Sequence, residues 1–516
     1  MSGARSSPGG LFSFPDLDAD APLVGRQSPG KGAFILEEAD LARPAYEYAS
    51  GLLRGYGPDT WRLFFHVLCC GRLPGATDRA HQEPGWVPIP AVLARKELRA
   101  AEIVPLVERG LIERTGFVRP TRGRRVGRAR AYRVESGVRR EVADLSLDAA
   151  LSGSSDRVDP FSGKPVKRRL RTSMYDRNRN PLPEPLRASL AQLTGGRCST
   201  EPVRNHLRGL HRAHAAARGN AERARTLARF ENDLRCFETV QRQGGWPDDD
   251  VFEYDLAYKV QPSGRVSHVG GGLQSCTREM KAAAYSQVPG VRNYDVRSSQ
   301  AYVLQDHLRR AGIDGGWLDE YLSTDGAKFV YARDAGLSVD AWKGCLYAVF
   351  LGAALPTNAK SLGDVLAIVR EDLAARCRAG DLTPTLRRLR AVLGPLHRAV
   401  GAWHRHLTRV WVPETQTYGR GGRFVTNAAG MKMPVSGLNG SGGAAVRRQL
   451  AAFVLQGQEA AFVHALTALA PSYGFVPISN EHDGIVTVGE VPTTAVDRAR
   501  DAVEMPYVVL VEKPFV

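Results

Sequence analysis

At 516 residues the chain has room for roughly two to four domains and a large buried core. It carries 70 Lys+Arg against 54 Asp+Glu, a net charge of +16 and a pI of about 9.7, which favours a polyanionic partner over an acidic-surface role. No apolar run approaches the roughly 18 residues of a membrane span, and seven cysteines without a C-x-x-C pair exclude a disulfide scaffold and suit a reducing compartment.

The predicted elements follow in chain order. Residues 1–44 open on MSGARSSPGGLFSFPDLDADAP, a Gly/Ser/Pro-rich stretch expected to be disordered. It lacks a charged-then-apolar export signal, so the expected location is cytoplasmic. Residues 45–135 alternate helical and strand-like patterns. Residues 136–183 turn loop-like and basic and read as a linker able to lie along phosphates. Residues 184–250 carry long arginine-rich helices with few β-branched residues. From there to the end, strands and helices alternate and finish in the β-rich tail YVVLVEKPFV. The fold class is therefore α/β (α+β).

Within 87–135, a helix containing Ile103, Leu106 and Val107 is expected to end at Gly110. LIERTGFV and ARAYRV then form two strands. The loop between them carries Arg119, Arg122, Arg124, Arg125, Arg128 and Arg130. So many guanidinium groups repel one another unless phosphates meet them. The pattern resembles a winged helix, which implies a helix in the DNA major groove and a wing on the backbone or minor groove.

Two carboxylates stand out further on. In VPGVRNYDVRSSQAYVLQDHLRRAG a strand ends at Asp295, a Ser-Ser-Gln turn follows, and an amphipathic helix begins near Ala301. In PISNEHDGIVTV an apolar strand is broken by His482 and Asp483 and resumes as Ile-Val-Thr-Val. A carboxylate there is costly to bury unless a cation meets it. Between the two lies DAWKGCLYAVFLGAAL, a helix with Lys343, Tyr347 and Gly352 at the spacing K-x3-Y-x4-G.

In this order the stretches resemble family A DNA polymerases and the related phage-type single-subunit RNA polymerases. The resemblance covers residues 255–490. It extends to PSGRVSHVGGGLQS, GRFVTNAAGMKMPV and RQLAAFVLQGQEAAFVHAL. It implies a right-hand architecture: a helical thumb (184–250), a palm in two parts (251–300 and 421–516) and fingers (301–420). Nothing upstream has the length or acidic motifs of a proofreading exonuclease, so none is expected. Asp295 and Asp483 are implied as ligands of two Mg²⁺ ions, with Mn²⁺ as a substitute. The family motif also implies Lys343 on the incoming triphosphate as a catalytic charge and Tyr347 against base or sugar. Arg265, Gln274, Arg448 and Gln456 are implied at the primer and template, and His482 beside the primer strand or the metals.

The departures matter equally. Aligned without a gap, Gln300 takes the position that discriminates the sugar; with two residues inserted, Tyr302 does. Leu351 and Val339 stand where the family has Tyr and Arg, and Gly484 replaces the Glu that follows His-Asp in the DNA enzymes. The reading expected from the whole is a DNA-directed DNA polymerase recruited by the winged helix to a plasmid, phage or integrated element. The alternatives are a primase or single-subunit RNA polymerase, and a non-catalytic DNA-binding initiator. Expected partners are template-primer DNA, single strands and nucleoside triphosphates, with no membrane.

Overall fold

The computed structural model describes residues 40–72, 77–78, 83–89, 103–115, 130–154, 156–166, 170–176, 180–244, 250–358, 363–376, 379–419, 422–435 and 443–515. The first lobe begins with α1 (Arg43–Leu52), entered through Pro44 and burying Ala45 and Ala49 one turn apart. It continues with α2 (Pro58–Gly71), whose Leu63, Phe64, Phe65 and Val67 are buried. Strand β1 (Val87–Ile89) precedes the short helix α3 (Ile103–Glu108). Gly110, at φ 68°, turns the chain out of α3 into β2 (Ile112–Arg114), and β3 (Arg130–Val134) closes an antiparallel sheet in the order β1-β3-β2. Arg119, Arg122, Arg124, Arg125 and Arg128 of the predicted wing lie outside the described residues.

The loop-like reading of 136–183 does not hold at its start, because Ser136–Ser152 is a helix, α4. The Glu135 side chain accepts from the Gly137 and Val138 amides at 2.7 and 3.0 Å, and Gly153 ends the helix at φ 84°. Its Val138, Val142, Leu147 and Ala149 are buried with helical spacing. The basic composition of the segment obscured that period.

The arginine-rich region forms the helices α5 (Glu184–Gln192), α6 (Thr200–Ala216) and α7 (Asn220–Gly244), as the spacing predicts, and between the first two an unpredicted strand β4 (Gly195–Ser199), which pairs with β5 (Val251–Asp255). Helix α7 joins the lobes through buried ion pairs. Glu238 takes Arg72 at 3.3 Å and Arg157 at 3.1 Å, and Glu231 takes Arg139. Removing one partner of such a pair leaves a buried charge uncompensated.

Helix α8 (Arg278–Tyr285) packs on α6 and β4 and leads to β6 (Val291–Val296). Next come α9 (Ser299–Arg310), α10 (Ala327–Ala335), α11 (Val339–Phe350), α12 (Asp364–Ala375) and the long α13 (Leu382–His406). Helix α11 is nearly enclosed, with Trp342, Cys345, Val349 and Phe350 buried against α10, α12 and α13. The chain returns through α14 (Gly443–Tyr473), β7 (Val476–Asn480), β8 (Gly484–Val488), α15 (Thr493–Ala502) and β9 (Leu510–Lys513). The main sheet is antiparallel in the order β7-β8-β6-β9, and α14 packs against α5, α9, α15 and strands β7 and β8.

The sequence reading made 477–488 one interrupted strand. It is a hairpin. The Asn480 side chain accepts from the His482 amide at 2.9 Å, Asp483 N donates to the Glu481 carbonyl at 2.9 Å, and Glu481 N bonds the Gly484 carbonyl at 3.0 Å. An Asn side chain closing a turn on its own backbone is what reverses the strand. Among the described residues, no helix is long and apolar enough to cross a membrane.

Candidate active site at the main sheet

Asp295 and Asp483 come together because β6 lies beside β8. Asp295 is the register partner of Gly484, and the Val296 amide donates to the Asp483 carbonyl at 2.8 Å. On its other side β6 pairs with β9, with Asp295 opposite Val511. The carboxylates thus leave from the end of a central strand and from the adjoining turn. Both exits use left-handed backbone at non-glycine residues, Ser298 at φ 50° and His482 at φ 67°. Such conformations are disfavoured for residues with a Cβ, and they concentrate where a site constrains the chain.

The departure at Gly484 has a steric cause. A Cβ there would meet the Tyr294 carbonyl oxygen at 2.2 Å and the Asp295 Cα at 3.1 Å. The close approach of β8 to β6 therefore leaves no room for the acidic side chain that the resemblance puts at this position.

The hairpin carrying Asp483 is held from several sides. Tyr258 Oη accepts from the Asn480 amide at 3.0 Å and contacts His268 Nε2 at 2.8 Å. Gln274 Nε2 donates to the Asn480 carbonyl at 2.6 Å and to the Val266 carbonyl at 3.0 Å, while its oxygen takes the His268 amide at 2.8 Å. Gln274 is thus a buried brace of the turn rather than a group open to a strand. Glu481 is ion-paired with Lys281 of α8.

Lys513, on β9, is ion-paired with Asp295. Burial lowers the Lys343 pKa, and Lys328 and Arg278 lower it further, opposed by Asp340. Burial likewise lowers Lys513, with Arg278 as the second cause. Arg278 therefore stands within electrostatic reach of both lysines. It is fixed at the start of α8, where the Thr277 side chain caps the helix and Asp233 accepts from the Thr277 amide at 2.8 Å. Lys513, Arg278 and Lys328 were not singled out in the sequence, since no local spacing links a C-terminal strand, a helix start and α10.

Tyr347 is 36% exposed. Desolvation raises its hydroxyl pKa, followed by the charges of Asp483 and Glu459, while Arg265 opposes them. This joins Tyr347 to the second aspartate and to a buried pair behind it, Arg265 with Glu459 of α14. Gln300 lies close enough to Glu459 to lower its pKa. Arg265 is 2% exposed, so its guanidinium is turned into the protein. Tyr302 points elsewhere, its ring stacked on Tyr507 at 6.3 Å and 19°. Arg448, Gln456 and Glu459 fall on one face of α14 by their spacing, and Arg448 lies close enough to His404 to lower its pKa. Glu459 is the buried acid that the sequence reading missed; the Gln-Gly signature beside it drew attention to Gln456 instead.

Asp295 and Asp483 offer hard oxygen donors of the kind that Mg²⁺ takes. Among the described residues no group of three or more His, Cys, Asp or Glu side chains could hold a metal. A cation site here therefore rests on these two carboxylates, completed by water or substrate oxygens.

No protein-family model and no curated protein matches this chain. Among solved structures, the POL domain of Pol1 from M. smegmatis, in complex with DNA primer-template and dNTP, is similar with a TM-score of 0.37 and 13% sequence identity. The match covers 57% of this chain and 52% of that one, so the chain spans about half the length of the structure it resembles.

Proposed function

We propose that the chain is a nucleic-acid-templated nucleotidyltransferase, specifically a DNA-directed DNA polymerase without proofreading, acting in the cytoplasm and recruited to DNA by its first lobe and the arginines of 119–130. The observation that carries this reading is the meeting of Asp295 and Asp483 across β6 and β8, with Tyr347 within electrostatic reach of Asp483. The order of the sequence stretches that resemble polymerases supports it.

Asp295 and Asp483 would hold the divalent cations. When bound, these neutralise charge developing on the phosphoryl group and favour ionisation of an attacking hydroxyl. The chain's own residues do the positioning. Lys343, Lys328 and Arg278 form a cationic wall suited to triphosphate oxygens, at a depth where desolvation strengthens the attraction. Tyr347 offers a ring face to the nucleotide base or sugar. Gln300, near Glu459, would sense the sugar.

Primer extension on a DNA template tests the reading. The parent should incorporate dNTPs in Mg²⁺, and Asp295→Asn and Asp483→Asn proteins of unchanged fold should lose incorporation by at least a thousandfold. Full activity in either variant sinks it.

A further inference from the structure

Helix α13 presents an outer face made of arginine. Arg387, Arg390, Arg398 and Arg405 are exposed, as is Arg409 in the wider turn Leu407–Trp411 that continues the helix. The opposite face, through Leu386, Leu389, Leu393, Leu396, Val400 and Trp403, is buried. From 382 to 413 the sequence contains no Asp or Glu. None of the five arginines has an ion-pair partner among the described residues. At about 1.5 Å per residue, the row from 387 to 409 is about 33 Å long. A row of uncompensated guanidinium groups is self-repelling, and a polyanion relieves it.

We propose that this row binds the sugar-phosphate backbone of single-stranded nucleic acid. Two observations select nucleic acid over an acidic protein, and the length of the row selects a single strand over a duplex. Between the arginines the outward positions are small, Ala391, Gly394, Gly401 and Ala402, so a backbone can approach the helix closely. The arc carries no aromatic or large aliphatic anchor, which protein interfaces need at their centre and phosphate contacts do not. A flexible single strand can follow the full length of the row, whereas a duplex meets it across little more than one groove.

The row also leads to the candidate site. Helix α13 packs on α11, which carries Lys343 and Tyr347. Its His404 fills the space beside Gly352 at the end of α11, where a Cβ on Gly352 would meet the imidazole at 2.2 Å. Arg447 and Arg448 of α14 lie near that histidine. If the polymerase reading holds, the strand on this row is the unpaired template approaching the site; the binding itself does not depend on that reading.

The test is fluorescence anisotropy of a labelled oligothymidylate with the full chain across a salt series. Changing Arg387, Arg398, Arg405 and Arg409 together to Gln should weaken binding at least tenfold at low salt. It should also reduce the slope of log affinity against log salt by about 2 to 3, at about 0.7 for each phosphate no longer neutralised. The same four positions changed to Lys should keep the slope, and Asp295→Asn should leave both quantities unchanged while abolishing incorporation. An unaltered slope in the Gln protein overturns the proposal, as does an equal loss in the Lys protein, which would mark a structural effect. Displacement of the oligonucleotide from the parent by polyglutamate at equal charge would overturn it too, pointing to an acidic protein. If the parent shows no primer extension but the slope difference stands, the polymerase reading fails and this one survives.

Discussion

Lys513 of β9 is ion-paired with Asp295 of β6, the carboxylate to which a divalent cation is assigned under the proposed function. The ammonium and the cation therefore compete for one group. Replacing Lys513 by Met should tighten Mn²⁺ binding several-fold, read by electron paramagnetic resonance of free Mn²⁺, and lower the Mg²⁺ concentration needed for half-maximal incorporation. Equal Mn²⁺ affinity in the two proteins would show that the lysine yields at no cost, or that the cation binds elsewhere.

Gly484 marks the closest approach of β8 to β6. The Gly484→Ala change places a methyl group 2.2 Å from the Tyr294 carbonyl oxygen, and backbone atoms cannot retreat without breaking the register that sets Asp295 opposite Gly484. Overpacking of this kind should destabilise the chain by about 1–3 kcal/mol, measured by urea denaturation. Incorporation should fall further than stability alone explains, since the aspartates move apart. Parental stability in the Gly484→Ala protein would show that the sheet can open at this point.

The sequence made parts of this site legible where chemistry follows local spacing. Asp295 at a strand end, the turn after it and the helix with Lys343 and Tyr347 all occur as the pattern predicts, because strand and helix periods are short-range signals. The helix after Asp295 starts at Ser299, ahead of the Ala301 expectation, because Ser298 takes left-handed backbone and turns the chain early. Lys513, Arg278 and Glu459 were invisible for a different reason. Each reaches the site through pairing between distant segments, which no local periodicity records. Arg265 and Gln274 were singled out as strand contacts, yet their side chains are engaged inside, with Glu459 and with the Asn480 turn.

Acid should loosen the packing of α14 on α5. His464, 1% exposed, contacts Ser189 Oγ at 2.8 Å and the Gly264 carbonyl at 2.9 Å. Burial lowers its pKa from 6.5 to about 4. The folded state thus holds this histidine neutral, while the unfolded chain takes up the proton below pH 6.5. Its contribution is intact above about pH 6.5 and is lost as the pH falls towards about 4, amounting to about 3 kcal/mol at about 1.36 kcal/mol per pH unit. A His464→Gln protein should be less stable at pH 7 and lose less stability on acidification. Parallel pH profiles for the two proteins, by chemical denaturation, would assign the acid sensitivity to other groups.

The choice between Gln300 and Tyr302 as the residue that senses the sugar turns on their neighbours. Gln300 lies near Glu459, whose charge also reaches Tyr347, and Tyr347 in turn feels Asp483. Tyr302 stacks on Tyr507, a contact that leaves its ring engaged with the C-terminal segment. We therefore propose the ungapped alignment, with Gln300 in this role. Gln300→Ala should raise the use of rNTPs relative to dNTPs by at least tenfold in single-nucleotide incorporation, whereas Tyr302→Ala should change the ratio less than threefold. The opposite ranking of Gln300→Ala and Tyr302→Ala would return the role to the tyrosine.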